Sequence, residues 1–257
     1  MTSKAPTAAS TAIRTAKRAM RKSMAATLNS LPPQVALTQS SKVAEQILRS
    51  PSYAQSKSIS VYVSMDVGEI NTDQICRSIL RDGKRLYVPL FASQEKTSTA
   101  VPAAATAQNL TTRTIFATDM VMLRLVDLKD YDQMKVNRWG IREPTLEYES
   151  GELREDALRE DTGGDGLDLI LAPGVAFDTK GGRLGHGKGY YDRYFARADK
   201  WAEERGRKGP ITVALALSDQ VLPEGELVPS DENDRILDAI VSPEHCIKDA
   251  KSRWIST

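Results

Sequence analysis

The stretch at residues 167–195, LDLILAPGVAFDTKGGRLGHGKGYYDRYF, constrains this chain more than any other. It opens on an apolar run, 167–172, with the length and composition of a strand buried on both faces. Pro173 and Gly174 end that run. After residues 175–177 comes a turn-rich loop, 178–189, with glycines at 181, 182, 185, 187 and 189 and with Arg183, His186 and Lys188 between them. A helix is expected from about Tyr190. Glycines let backbone N–H groups converge without Cβ obstruction, and a helix N-terminus favours negative charge, so the expected guest of this loop is a polyphosphate.

Residues 182–189, GRLGHGKG, fit the spacing G-x-x-x-x-G-K of a Walker loop, but Gly189 stands where a Ser or Thr hydroxyl would hold magnesium. As a Walker loop the segment fails. Its competing account is a flexible surface loop with a few charges. Against that stand the buried strand before it, the helix after it, and Tyr190, Tyr191 and Asp192 directly following. Asp192 could supply the missing oxygen ligand, since magnesium is commonly held by one or two carboxylates together with phosphates.

The remaining chain reads as alternating helices and strands. Helices are expected over 11–28, with Lys17 and Arg21 one turn apart, and over 34–49 after the Pro32–Pro33 break. A strand over 58–64, a loop over 65–71, a helix over 72–81 and a strand over 85–90 follow. Residues 92–113 are poor in large apolar side chains and read as an exposed insertion. Another strand lies within 114–126, and the acid-rich stretch 147–166 reads as a second, solvated insertion. After the central element a helix runs to about 205, with strands over 211–217 and 236–241. This pattern calls for an α/β fold, a three-layer open and mostly parallel sheet with helices on both faces, in a single domain over 1–257. In such sheets ligands lie beyond the carboxyl ends of the strands, where the loops after Ser64, Ala172 and Leu217 would meet.

With 257 residues, length slightly favours one domain over two. A formal net charge of +1 gives no global pull toward nucleic acid or membrane. Cys76 and Cys246 make neither a disulfide framework nor a metal cluster, and no apolar run reaches the roughly 20 residues that span a bilayer. Residues 1–44 contain no acid, and cations are spread there among Ala, Ser and Thr, the composition of a transit peptide. Cytoplasm is the first expectation for location and mitochondrion the second, with residues 1–12 expected to be disordered.

The string GGRLGHGKGYYDRYF resembles the signature of the 5-formyltetrahydrofolate cyclo-ligase family. Similar pieces recur in family order at 16–21 (AKRAMR), 62–72 (YVSMDVGEINT), 83–89 (GKRLYVP), 139–144 (WGIREP) and 228–238 (VPSDENDRILD), spanning nearly the whole chain. The resemblance implies an ATP- and Mg²⁺-dependent closure of 5-formyltetrahydrofolate to the 5,10-methenyl form, releasing ADP and phosphate through a phosphorylated formyl group. It implies ATP contacts from Lys17, Arg18, Arg21, Arg183, Leu184, Gly185, His186, Gly187, Lys188, Gly189, Tyr190 and Tyr191, with Arg183 and Lys188 as catalytic cations. Folate contacts are implied for Val63, Met65, Glu69, Phe91, Trp139, His186, Gly187, Lys188, Gly189 and Tyr190, and metal ligation for Asp192 and Asp234. His186 departs from the family, which more often carries arginine there, and one residue more than usual stands in the 66–68 turn.

A non-catalytic folate- or nucleotide-binding protein of the same fold would tolerate loss of Lys188 or Asp192; both are present, which favours the enzyme. A small-molecule kinase is disfavoured by Gly189 in place of the Walker hydroxyl. The expected partners are therefore small molecules, a reduced folate and ATP, with no nucleic acid, no membrane and a monomeric chain.

Overall fold

The computed structural model describes residues 8–65, 67–91, 119–137, 140–248 and 252–256. Trp139 and the expected insertion at 92–113 lie outside these residues. The chain begins with helix α1 (Ala8–Asn29), so 8–12 are helical rather than disordered, and continues through α2 (Pro33–Arg49) and the short α3 (Pro51–Gln55). Strand β1 (Ser58–Val61), helix α4 (Asp73–Arg81), and strands β2 (Arg85–Phe91) and β3 (Met120–Leu125) follow. After α5 (Leu128–Asp132) a small hairpin pairs β4 (Lys135–Val136) with β5 (Arg142–Glu143). Then come β6 (Leu169–Ala172), a second hairpin of β7 (Ala176–Phe177) and β8 (Arg183–Leu184), helix α6 (Tyr190–Glu203), and strands β9 (Ile211–Leu215), β10 (Ala239–Val241) and β11 (Cys246–Ile247).

Seven strands form one sheet in the order β11-β10-β9-β6-β1-β2-β3. The five inner strands are parallel and the two edges antiparallel. This is the mostly parallel sheet expected of strands covered on both faces: every residue of β1 and β6 is buried, Ser58 and Ser60 of β1 included. From the central pair the chain leaves in two directions, β1 to β2 on one side and β6 to β9 on the other. Right-handed crossovers in opposite directions put α4 and α6 on opposite faces, giving three layers. Helix α4 buries Ile75, Cys76 and Ile79, and α6 buries Tyr191, Tyr194, Phe195, Ala198 and Trp201, each set at helical spacing toward the sheet. Burial pushes the Cys76 thiol up to about 12 and the half-buried Cys246 thiol above its ordinary value.

The acid-rich stretch corrects the expectation of a solvated insertion. Its turn at 147–153 is mostly exposed, but Arg154, Glu155, Asp156 and Ala157 are buried. These residues bond along the outer edge of β3: Arg124 N–H to Glu155 O at 2.9 Å and Ala157 N–H to Met122 O at 3.0 Å. They occupy backbone groups that an edge strand would otherwise present to another chain. Beneath them lie two ion pairs. Arg154 is bidentate to Asp130, both contacts 2.7 Å, and stacks on the Tyr148 ring. Glu155 takes Arg124 Nη1 at 2.7 Å and the Tyr87 hydroxyl. Acidic composition suggested solvation here; the partners that override it sit about 25 or more residues away in sequence.

Candidate active site

The crevice between the carboxyl ends of β1 and β6, where the strand order reverses, is the favoured ligand position of an open α/β sheet. A cleft of about 790 Å³ opens there, lined by Tyr62, Val63, Met65 and Glu69 beyond β1, by Pro173 beyond β6, and by residues 183–192. Helix α1 contributes Arg14, Lys17 and Arg21, the β2 end contributes Pro89 and Phe91, and the β4–β5 hairpin closes the far wall with Asn137, Ile141, Arg142 and Glu143. The walls mix apolar and cationic surface, as a site for a flat ring system next to phosphates requires.

The glycine-rich segment is only partly loop. Its first half folds into the β7–β8 hairpin, which buries Arg183 and Leu184, so that only 185–189 face the cleft as free loop. Asp178 shapes the hairpin turn: its buried carboxylate accepts from Lys180 N–H (2.9 Å) and Gly182 N–H (2.8 Å), and from Val228 N–H (3.0 Å) of the neighbouring strap. Gly187 (φ +98°) passes against Arg21, whose guanidinium would lie 3.2 Å from any Cβ there. Gly189 (φ +67°) is the N-cap of α6, and no side chain caps that helix, leaving the N–H groups of its first turn to solvent or a guest. Lys188 is exposed on this loop and forms no ion pair among the described residues. Arg21 Nε donates to Gly185 O at 2.7 Å, joining α1 to the loop.

The other expected charges are paired with one another. Arg183 Nη2 binds Asp192 Oδ1 at 2.8 Å, under the rings of Tyr191 and Phe195, so the expected phosphate cation and the expected metal ligand hold each other. Lys17 Nζ binds Asp234 Oδ2 at 2.5 Å and Asp231 Oδ2 at 2.9 Å. Burial pulls the Lys17 ammonium down, but bonds to Asp234 and Asp231 outweigh it and hold the group above its ordinary value; Lys17 in turn holds Asp231 below the usual carboxylate range. Asp192 and Asp234 each keep one oxygen without a protein donor among the described residues. Two hard carboxylates with a free oxygen each, in one cleft, fit magnesium held jointly with phosphates. They would not suffice for a cage made by protein alone, and no cluster of three or more metal-ligating side chains occurs among the described residues.

Glu69 lies at the floor, buried, its Oε2 accepting Met65 N–H at 3.1 Å. His186 Nε2 lies 3.4 Å from Glu69 Oε1, so this histidine links the glycine loop to the acid. The Tyr191 hydroxyl is buried without a partner among the described residues, and burial, then the charge of Glu69, push its titration up. Phe91 and Tyr190 form a tilted pair with centroids 5.2 Å apart, an aromatic wall above Val63 and Met65.

Apart from Arg18 and Trp139, every residue expected at the site lines this cleft. Arg18 is exposed at the margin of the stripe set by Arg14, Lys17 and Arg21, and does not line it. Sequence reading missed Arg14, which repeats the stripe's spacing one turn earlier, and missed Tyr62, Pro89, Pro173 and the hairpin residues. For Arg14 the signal was present, three residues before Lys17. Arg142 lay in the family-like piece at 139–144 but was assigned no role; it is brought in by Asp73 (3.2 Å) and by the Tyr131 hydroxyl and ring.

A sequence model of the 5-formyltetrahydrofolate cyclo-ligase family matches residues 13–243. A probable 5-formyltetrahydrofolate cyclo-ligase of Caenorhabditis elegans is 35% identical over 230 residues, covering 90% of this chain and 94% of the relative. The mitochondrial 5-formyltetrahydrofolate cyclo-ligase of Arabidopsis thaliana is 30% identical over 88% of this chain and 74% of its own length. In fold, the chain resembles the NMR structure of a 5,10-methenyltetrahydrofolate synthetase from Aquifex aeolicus, with a TM-score of 0.59 at 24% identity over 92% of this chain and 94% of that one.

Proposed function

This chain belongs to the 5-formyltetrahydrofolate cyclo-ligase family, and from that premise we propose that it closes 5-formyltetrahydrofolate to the 5,10-methenyl form by phosphorylating the formyl oxygen with ATP. The observation that carries the ATP reading is the exposed loop 185–189, which ends on the uncapped start of α6 in the same cleft as the buried Glu69.

An amide oxygen is a poor leaving group. Attack of the formyl oxygen on the γ-phosphorus forms an O–P bond and expels ADP, leaving an imidate-like phosphate. The adjacent aniline nitrogen then forms the new C–N bond, the phosphate departs with its oxygen, and a proton is lost from nitrogen. Little of this needs covalent help from protein; positioning and charge neutralisation dominate. Lys188 and the first-turn amides of α6 receive the phosphates, with Lys17 and Arg21 covering them from α1. Arg183 acts from beneath by holding Asp192 and the loop base. Glu69 accepts from the amino and ring N–H donors of the pterin, a charge-assisted pattern, while Val63, Met65, Phe91, Tyr190 and Trp139 enclose the rings. Magnesium held by Asp192 and Asp234 together with ATP would neutralise charge developing between the β- and γ-phosphates.

The test is the appearance of methenyltetrahydrofolate absorbance on mixing protein, ATP, magnesium and 5-formyltetrahydrofolate. The expected result is product only when all four are present, one ADP released per methenyl group formed. Product without ATP would overturn the phosphorylated route.

No helix among the described residues is long and apolar enough to cross a membrane. We assign the chain to the cytoplasm, acting as a monomer; the acid-free N-terminus keeps a mitochondrial destination as the alternative, and imaging of the chain fused at its C-terminus separates the two. Helix α1 begins at Ala8 and carries Lys17 and Arg21, so processing beyond it would remove cations from the cleft.

A further inference from the structure

Three loops at the carboxyl ends of β1, β6 and β9 meet under the cleft, and one side chain joins them. Gln220, 1% exposed, ends the single 3-10 turn Ser218–Gln220 that follows β9. Its Nε2 donates to Gly174 O at 2.7 Å and to Gly68 O at 3.2 Å, while its Oε1 accepts Leu217 N–H at 2.9 Å. The orientation of the amide is fixed chemically, since two carbonyls face the nitrogen and one N–H faces the oxygen. Gly68 immediately precedes Glu69, and Gly174 immediately follows Pro173 on the cleft wall. We infer that Gln220 is a positioning residue for the folate half of the site: it sets the height of the 68–69 backbone against the β6 loop, and through it the carboxylate of Glu69.

Two features make this more than a fold contact. The Glu69 carboxylate accepts Met65 N–H and lies 3.4 Å from His186 Nε2, and the Tyr62 hydroxyl and Ser40 Oγ hold the backbone that follows at Ile70 and Asn71, but on the side that precedes Glu69 it is Gln220 that holds the Gly68 carbonyl. The phosphate loop has its own references, Asp178 at the hairpin and Arg21 on Gly185 O, neither of which passes through Gln220. Loss of the amide should therefore act unequally on the two substrates. No polar atom of Gln220 can be removed without stranding a buried partner, which costs stability as well, so the discriminating quantity is the split between substrates rather than total activity.

The inference rests on the reading of Glu69 as the folate acid, and the experiment separates the two. Steady-state constants would be measured for both substrates in wild type, Glu69→Gln, Gln220→Met and Gln39→Met. Gln39 is the control: from α2 its Oε1 accepts Ser218 N–H at 2.8 Å, holding the same turn without touching Gly68 or Gly174. Gln220→Met should raise KM for 5-formyltetrahydrofolate about tenfold or more while KM for ATP moves by less than about twofold, since an ångström of misplacement at a reacting group is felt strongly. Gln39→Met should lower the melting temperature with little change in either constant. Should Gln220→Met not fold, Gln220→Glu keeps the volume and the bond to Leu217, loses the two donated bonds, and is read the same way. If Glu69→Gln leaves the folate KM unchanged, the reading of Glu69 fails. If Glu69→Gln raises it and the Gln220 variant does not, or if Gln39→Met raises it equally, the positioning role is overturned.

Discussion

Two regions of this molecule hold ion pairs of the same kind and use them differently. Under the outer edge of β3, Arg154 pairs with Asp130 through two parallel bonds, and Glu155 is engaged on both oxygens, by Arg124 and by Tyr87. At the cleft, Arg183 holds only one oxygen of Asp192, and Lys17 shares one oxygen of Asp234 with a backbone N–H. The first set leaves no carboxylate oxygen spare and serves packing. In the second, each acid keeps a free oxygen facing a cavity, and those pairs can accept a further partner without first being broken. A charge's availability thus depends on how many of its bonding positions are taken, and only secondarily on how deeply it lies.

Four measurements sharpen or break this contrast. The largest effect is expected at the wall. Arg154→Met strands Asp130 beside β3, and breaking a buried pair from one side costs roughly 3 kcal/mol, so melting should fall by about 6 °C or more while kcat/KM per folded molecule is retained. Activity falling in step with stability would mean that the wall is part of the site.

Lys188→Ala comes next. Removing this loop cation, which forms no ion pair among the described residues, should slow turnover on the order of 10²-fold, about 2.7 kcal/mol of transition-state stabilisation, with the melting temperature unchanged because the side chain is exposed. Near wild-type turnover at saturating ATP would remove the loop from the chemistry.

Asp192→Asn is expected to act more gently, shifting the magnesium titration of activity to higher concentration at fixed ATP. An unmoved titration would assign the metal to Asp234 or to ATP alone, and Asp192 would then belong with the wall pairs as a purely structural acid.

The smallest effect concerns pH. The raised Lys17 group contributes stability that is full below its unfolded value near 10.5 and is lost as pH rises through its higher folded value. The depressed Asp231 group contributes above its unfolded value near 3.8 and is lost as pH falls through its lower folded value. The difference in melting temperature between wild type and Lys17→Met should therefore stay constant from about pH 5 to 9 and shrink on the acid side below about 3.8. A difference that changed within the neutral window would mean that Lys17 is coupled to some other group.

Much of the cleft was legible because its signals are local. The glycines at 185, 187 and 189 around Lys188, set between an apolar strand and a helix, marked a loop whose backbone can approach a guest, and the apolar run at β6 with strands and helices alternating on either side called for a parallel sheet. The β7–β8 hairpin was hidden, since two-residue strands leave no periodicity to read, and with it the burial of Arg183. The wall was misread for the opposite reason: its charges look solvated until Arg124 of β3 and Tyr87 of β2 are placed beside Glu155 and Asp130 of α5 beside Arg154. Gln220 carried no signal at all, because a glutamine in a polar turn is unremarkable until three loops converge on it.

The burial of Cys76 has a practical consequence. A thiol pushed up to about 12 is ionised at neutral pH to a fraction on the order of 10⁻⁵, and the thiolate is the reactive species. Cys246 is held above its ordinary value by its half-burial as well. For maleimide chemistry, then, Cys76 stays silent, and replacing the half-buried Cys246 by Ser leaves a clean background among the described residues. A cysteine introduced on the solvent side of α1, at Ala19 for example, would take a dye almost alone, and its emission would report motions of that helix over the cleft during turnover.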